Sequence, residues 1–169
     1  MNTKKLTILS MLLTFALVIF VLEAQLPPLA PIPGIKLGLA NIITLLTLIW
    51  FGRREAFTVL ILRIILAGIF TGSAASMIYS LSGGILCFIV MAVLRDVLGS
   101  KKIWVLSIFG AAAHNIAQLA AAVFVTSTVQ VLWYLPLLLS SAIVTGAFTG
   151  LCAAAVLKRI PTIGGSDKS

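Results

Sequence analysis

The stretch Leu37-Gly38-Leu39-Ala40-Asn41-Ile42-Ile43-Thr44-Leu45-Leu46-Thr47-Leu48-Ile49-Trp50-Phe51-Gly52-Arg53-Arg54-Glu55 decides the fold. It is an almost unbroken apolar run that stops at a glycine followed by three charges, and a second apolar run, Ala56 to Thr71, starts at once. A helix rises about 1.5 Å per residue and a bilayer core is about 30 Å thick, so such runs are read as membrane-crossing helices. The Gly-Arg-Arg-Glu break is then a turn at one membrane face. Working outward, four more runs appear: Leu6 to Leu26, preceded by Lys4 and Lys5, then Ala74 to Leu94, Ile103 to Thr126 and Val131 to Leu157. Composition agrees, since 61% of the 169 residues are apolar and only 9% charged, against about 25% charged in a soluble domain. The chain is expected to be an all-α integral membrane protein.

The charges orient it. Lys and Arg number 12 against 4 Asp and Glu, a net charge of +8 that in a soluble protein would suggest nucleic acid. With the N-terminus inside and six crossings, the cytoplasmic segments hold Lys4, Lys5, Arg53, Arg54, Arg95, Lys101, Lys102, Lys158, Arg159 and Lys168. Only Lys36 falls outside, and Arg63 lies within the third span. That asymmetry is the positive-inside rule, so the charge reports topology and no nucleic-acid partner is expected. Residues 1–160 are expected to form one six-transmembrane-helix bundle with N- and C-termini cytoplasmic, and 161–169 a disordered cytoplasmic tail. The first run is too long for a signal-peptide core, and Leu22-Glu23-Ala24 is a poor cleavage site, so it is read as a span. Trp50 and Trp104 are placed at the inner interface and Trp133 at the outer one.

Rows of small residues at helical spacing let helix backbones approach in lipid. They are Gly68 and Gly72, then Ser76, Ser80 and Gly84, then Ala113, Ala117 and Ala121, and finally Gly146, Gly150 and Ala154. Pro136 falls inside the sixth run and is expected to kink it. Cys87 and Cys152 have no metal-ligand or CxxC spacing and read as buried small residues.

Polar groups at membrane depth mark the candidate site, because they are costly there. Arg63 lies about 12 Å into the third span, near the midplane, whereas Glu23 lies about 26 Å along the first. Three roles are open to Arg63: an ion pair with Glu23, hydrogen bonds to carbonyls or cytoplasmic groups, or contact with a cavity or ligand. In the fifth span His114 and Gln118 are about 40° apart around the helix, and Asn115 about 100° from His114, so the three share one face. Asn41, Lys36, Tyr79 and Ser80 reach a similar level from the outer side. Together they outline an outer-half cavity whose positive balance favours an anionic or amphiphilic ligand. The first external loop, Pro27-Pro28-Leu29-Ala30-Pro31-Ile32-Pro33-Gly34-Ile35, is stiff and apolar, either a flap over that cavity or a rigid connector.

Three motifs carry a resemblance: Pro33-Gly34-Ile35-Lys36-Leu37-Gly38-Leu39-Ala40-Asn41-Ile42, Tyr79-Ser80-Leu81-Ser82-Gly83-Gly84 and His114-Asn115-Ile116-Ala117-Gln118. Over residues 6–157 the chain resembles the bacterial Gx transporter family, also labelled heptaprenyl diphosphate synthase component I, which is similar to the S components of energy-coupling-factor transporters. That resemblance implies a six-helix S-component-like fold, a lidding first loop, and partner subunits comprising a membrane transducer and two ATPases. The chain departs from it at Ala117, where the family motif has Gly, and at Ser10-xxx-Thr14, where S components dock through Ala-xxx-Ala.

The synthase label can be weighed on the residues. Prenyl diphosphate synthases hold Mg²⁺-diphosphate on Asp-rich clusters, and this chain has only Asp96 and Asp167. It is not expected to be an enzyme or to carry a cofactor or metal. Two functions stand: a membrane subunit that binds a small anionic or amphiphilic compound for uptake, such as a vitamin or cofactor or quinone precursor; or a non-catalytic membrane accessory of heptaprenyl diphosphate synthase, isoprenoid or quinone synthesis, or extracellular electron transfer. The chain has no GxxxxGK[ST], so any ATP drive comes from other chains.

Overall fold

The computed structural model describes residues 3–25, 38–72, 74–99, 102–161 and 163. All regular elements among them are helical: α1 (Thr3–Glu23), α2 (Asn41–Phe51), α3 (Arg53–Thr71), α4 (Ala74–Leu98), α5 (Ile103–Thr126), a 3₁₀ segment (Val129–Tyr134) and α6 (Leu135–Arg159). The apolar runs thus become six α-helices. Four stretches are long and apolar enough to cross a membrane: α1, α4, α5 and Val129–Arg159. α2, with 11 residues, is about 16 Å long. It starts at Asn41 rather than Leu37, because residues 38–40 form the turn that leads into it.

Contacts between residues distant in sequence gather five helix ends at one end of the bundle. Lys5 at the start of α1 bonds Glu55 at the start of α3, and Arg53 bonds Asp96 near the end of α4. The Trp50 indole N–H, at the end of α2, donates to the Ile160 carbonyl beyond α6 at 3.0 Å. Trp50 is therefore buried and ties two helix ends together, where a lipid-interface position was expected; Trp104 and Trp133 are exposed. Between α2 and α3 the chain turns on Gly52 alone, at φ 97°, a left-handed conformation that residues with a Cβ adopt only at a cost of about 1–2 kcal/mol.

α5 is the central helix, packed along most of its length between α4 and α6. The α5–α6 seam is backbone against backbone. A Cβ on Gly146 would stand 2.7 Å from Ile108 Cα, and one on Gly150 2.7 Å from Trp104 Cα. Gly110 receives Met91 and Cys87 of α4, and Gly68 of α3 receives Met77 of α4. Gly72 serves differently from its partner in the expected row: it is the left-handed cap of α3 (φ 61°), with open space where its Cβ would be.

The expected kink at Pro136 is not found. The 3₁₀ segment ends at Tyr134 and Pro136 lies in the first turn of α6, where a helix needs no N–H and proline's fixed φ is already suitable. Large apolar side chains on the outer surface, such as Phe124 at 87% exposure and Val144 at 70%, require lipid or a partner around them.

Candidate functional site

The candidate site is assembled where α1 stops. Glu23, its last residue, is buried, and its carboxylate accepts the Gly38 N–H at 2.5 Å. Gly38 has φ 78°, and a Cβ there would lie 2.8 Å from both Asn41 Nδ2 and His114 Cδ2. Only glycine satisfies both the dihedral and the space. The other side of the His114 ring rests on Gly83 of α4, whose Cβ would stand 2.7 Å from His114 Nδ1 and 2.8 Å from Gln118 Cγ. One residue on, a Cβ on Gly84 would meet Leu60 and Ile64 and stand 3.6 Å from Arg63 Nη2 of α3.

Five helices therefore converge: Glu23 from α1, Asn41 from α2, Arg63 from α3, the Gly83-Gly84 pair from α4, and His114 with Gln118 from α5. Arg63 and Glu23 attract each other across the cluster. Every one of these polar side chains is at least nine-tenths buried. Asn41 Nδ2 and Oδ1 and Arg63 Nε have no hydrogen-bond partner among the described residues. A buried polar group left unpaired costs about 1–3 kcal/mol, and a charged one more.

Beside Asn41 a cavity of about 10 Å³, lined in part by Gly38, Ser107, Thr145 and Thr149, has room for about one water. The hydroxyls of Ser107 and Thr149 bond each other at 2.8 Å, linking α5 to α6. Gly38 and Gly83 hold the His114 ring between them.

Residues 12–156 match the family model described as Heptaprenyl diphosphate synthase component I. The chain belongs to that family. No curated protein and no solved structure gives a significant match. In this heptaprenyl diphosphate synthase component I family member, the matched span carries the whole cluster from Glu23 to Gln118.

The residues singled out from sequence land differently. Asn41, Arg63, His114 and Gln118 meet around Gly38 and the Gly83-Gly84 pair. Ser80 is buried one turn before Gly84. Tyr79 packs instead with Leu119, Ala122, Val131 and Leu138 in an apolar cluster. Asn115 turns to α6, where its Nδ2 donates to the Leu138 carbonyl at 2.7 Å; its Oδ1 has no partner among the described residues. Lys36 and the proline-rich loop lie outside the described residues.

Sequence reasoning gave no site role to Gly38, Gly83 or the three hydroxyl residues of the cavity. The glycines were within the motifs and had a usable signal, flanking the polar positions. The hydroxyls had none: Thr149 donates to its own helix at Thr145 O, as buried Ser and Thr in helices commonly do.

Proposed function

We propose that this chain is a non-catalytic protein of the bacterial cell membrane that binds a small amphiphilic or anionic compound within its helices, as an S-component-like subunit for uptake. In this reading all six helices cross the bilayer and both termini are cytoplasmic. The observation that carries it is the convergence of Glu23, Asn41, Arg63, His114 and Gln118 from four helices, all buried, with Asn41 Nδ2 and Oδ1 and Arg63 Nε unpartnered among the described residues. A fold stabilised by lipid-facing apolar surface alone has no need of such a cluster, and ionisable groups inside a membrane protein mark a site. Glu23 offsets the charge of Arg63, which shifts the preference from a simple anion to a compound with a polar head and an apolar body. Energy would come from a separate membrane transducer and ATPase subunits.

The family description favours a second reading, an accessory membrane subunit of a heptaprenyl diphosphate synthase system. The two are separated by thermal unfolding of the purified protein against a panel of vitamins, nucleotides and prenyl phosphates. Under the uptake reading one compound raises the midpoint as RT ln(1+[L]/Kd). No shift across the panel, together with co-purification of a soluble synthase, would establish the accessory reading instead.

A further inference from the structure

The small cavity beside Asn41 is a meeting point of three helices. Asn41 lines it from α2, Ser107 from α5, and Thr145 and Thr149 from α6, with Cys87 of α4 and Gly38 next to them. At about 10 Å³ it admits one guest the size of a water.

The hydrogens of its three hydroxyls are already spent. Thr145 donates to the Ser141 carbonyl at 2.9 Å, and Thr149 donates to the Thr145 carbonyl at 2.8 Å. Because the Thr149 hydrogen goes to its own helix, Ser107 is the donor in the 2.8 Å bond between Ser107 and Thr149. Each hydroxyl oxygen therefore has only lone pairs left to offer a guest. Asn41, at 8% exposure, adds the carbonyl oxygen Oδ1, which has no partner among the described residues.

Four acceptor oxygens from three helices require a guest that is electron-poor on every side. A water has two hydrogens and leaves part of the set without a donor. A cation meets all four oxygens at once, and hard oxygen ligands select a hard ion. No carboxylate lines the cavity among the described residues, whereas Ca²⁺ and Mg²⁺ are ordinarily held by carboxylates. That leaves a monovalent ion, and the volume of one water suits Na⁺ better than the larger K⁺. The surrounding charges oppose each other. Arg63 acts on Cys87 in the cavity wall, and Glu23 counters it, its carboxylate bonded to Gly38 in the same wall.

We propose that this cavity is a Na⁺ site ligated by Asn41 Oδ1 and the hydroxyl oxygens of Ser107, Thr145 and Thr149. The ion ties α2 to the α5–α6 pair and fixes the Asn41 side chain beside Gly38. The site needs no organic ligand and stands whether or not the His114 cluster binds one.

The test is thermal unfolding of the full chain in uncharged detergent, in sodium, potassium or choline chloride at one ionic strength, with binding of radiolabelled Na⁺ measured alongside. Na⁺ is expected to raise the midpoint saturably and to bind one ion per chain, at least tenfold more tightly than K⁺. Thr145→Val keeps the side-chain shape and removes the oxygen, and it should weaken Na⁺ binding at least tenfold, as should Asn41→Leu. Thr145→Ser restores the oxygen and should bind as wild type, as should Ser140→Ala, at an exposed position on the same helix. If Asn41→Leu does not fold, the two substitutions at Thr145 decide alone. Equal midpoints in the three salts with no Na⁺ retained overturn the proposal and leave the cavity to water. Wild-type Na⁺ affinity in Thr145→Val overturns it as well, because the ion then sits elsewhere.

Discussion

A methyl group on Gly83 would stand 2.7 Å from His114 Nδ1, so Gly83→Ala must displace the imidazole or the helix. The expected cost is about 1–3 kcal/mol, read as a lower thermal midpoint in detergent, together with loss of ligand stabilisation. A second residue-scale prediction concerns Glu55. The hydrogen bond from Lys5 holds its carboxyl below the ordinary value, with attraction from Lys5 and Arg54 adding to it. A carboxylate depressed on folding contributes stability above its unfolded pKa of about 4.3 and loses it as pH falls through the folded value. The protein should therefore lose on the order of 0.5 kcal/mol below about pH 4 from this pair. Glu55→Gln should remove that acid-side loss in unfolding measured across pH. At this scale Arg63, His114 and Gln118 were legible because an ionisable or amide group inside an apolar run announces itself. Glu23 was harder to place, since it falls at a run's end and the distance along the helices set it apart from Arg63. What the axial estimate lacked was the convergence of α1, α2 and α5 on Gly38.

Among the elements, the α5–α6 seam makes the sharpest claim. Ile108 Cα and Trp104 Cα are backbone atoms and cannot move aside for a side chain on Gly146 or Gly150. Gly146→Val should cost about 3 kcal/mol, whereas Leu151→Ala, at a position 64% exposed on the same helix, should stay within about 0.5 kcal/mol. Unfolding of both variants in one detergent checks the pair. The helices themselves were readable because apolar runs and charged breaks set them directly. Pro136 misled because a run boundary cannot distinguish a 3₁₀ lead-in from the first helical turns; the proline marks where the second begins. Gly72 misled for a related reason, since a spacing of four suits both a packing row and a helix cap.

For the whole molecule, the ion pairs Lys5–Glu55 and Arg53–Asp96 and the Trp50–Ile160 hydrogen bond gather the basic helix ends together, and the proposed topology puts that end in the cytoplasm by the positive-inside rule. Ser127→Cys, at the opposite end of α5, should then react with an impermeant maleimide in intact cells. Lys102→Cys should react only after lysis. Cys87 is buried and should stay silent in both. Charge placement made the gathering of the basic helix ends legible from the sequence, whereas the packing of the cluster against His114 was not, because it depends on glycines whose absent side chains leave no pattern. The central claim is that this cluster holds a ligand, and Arg63→Lys tests it most directly. That variant keeps the charge Glu23 faces but loses the planar fork. Titration of wild type and variant with the compound that most stabilises the wild type should show at least tenfold weaker binding in the variant, with both folded. Equal affinities would contradict a ligand-binding role for the cluster.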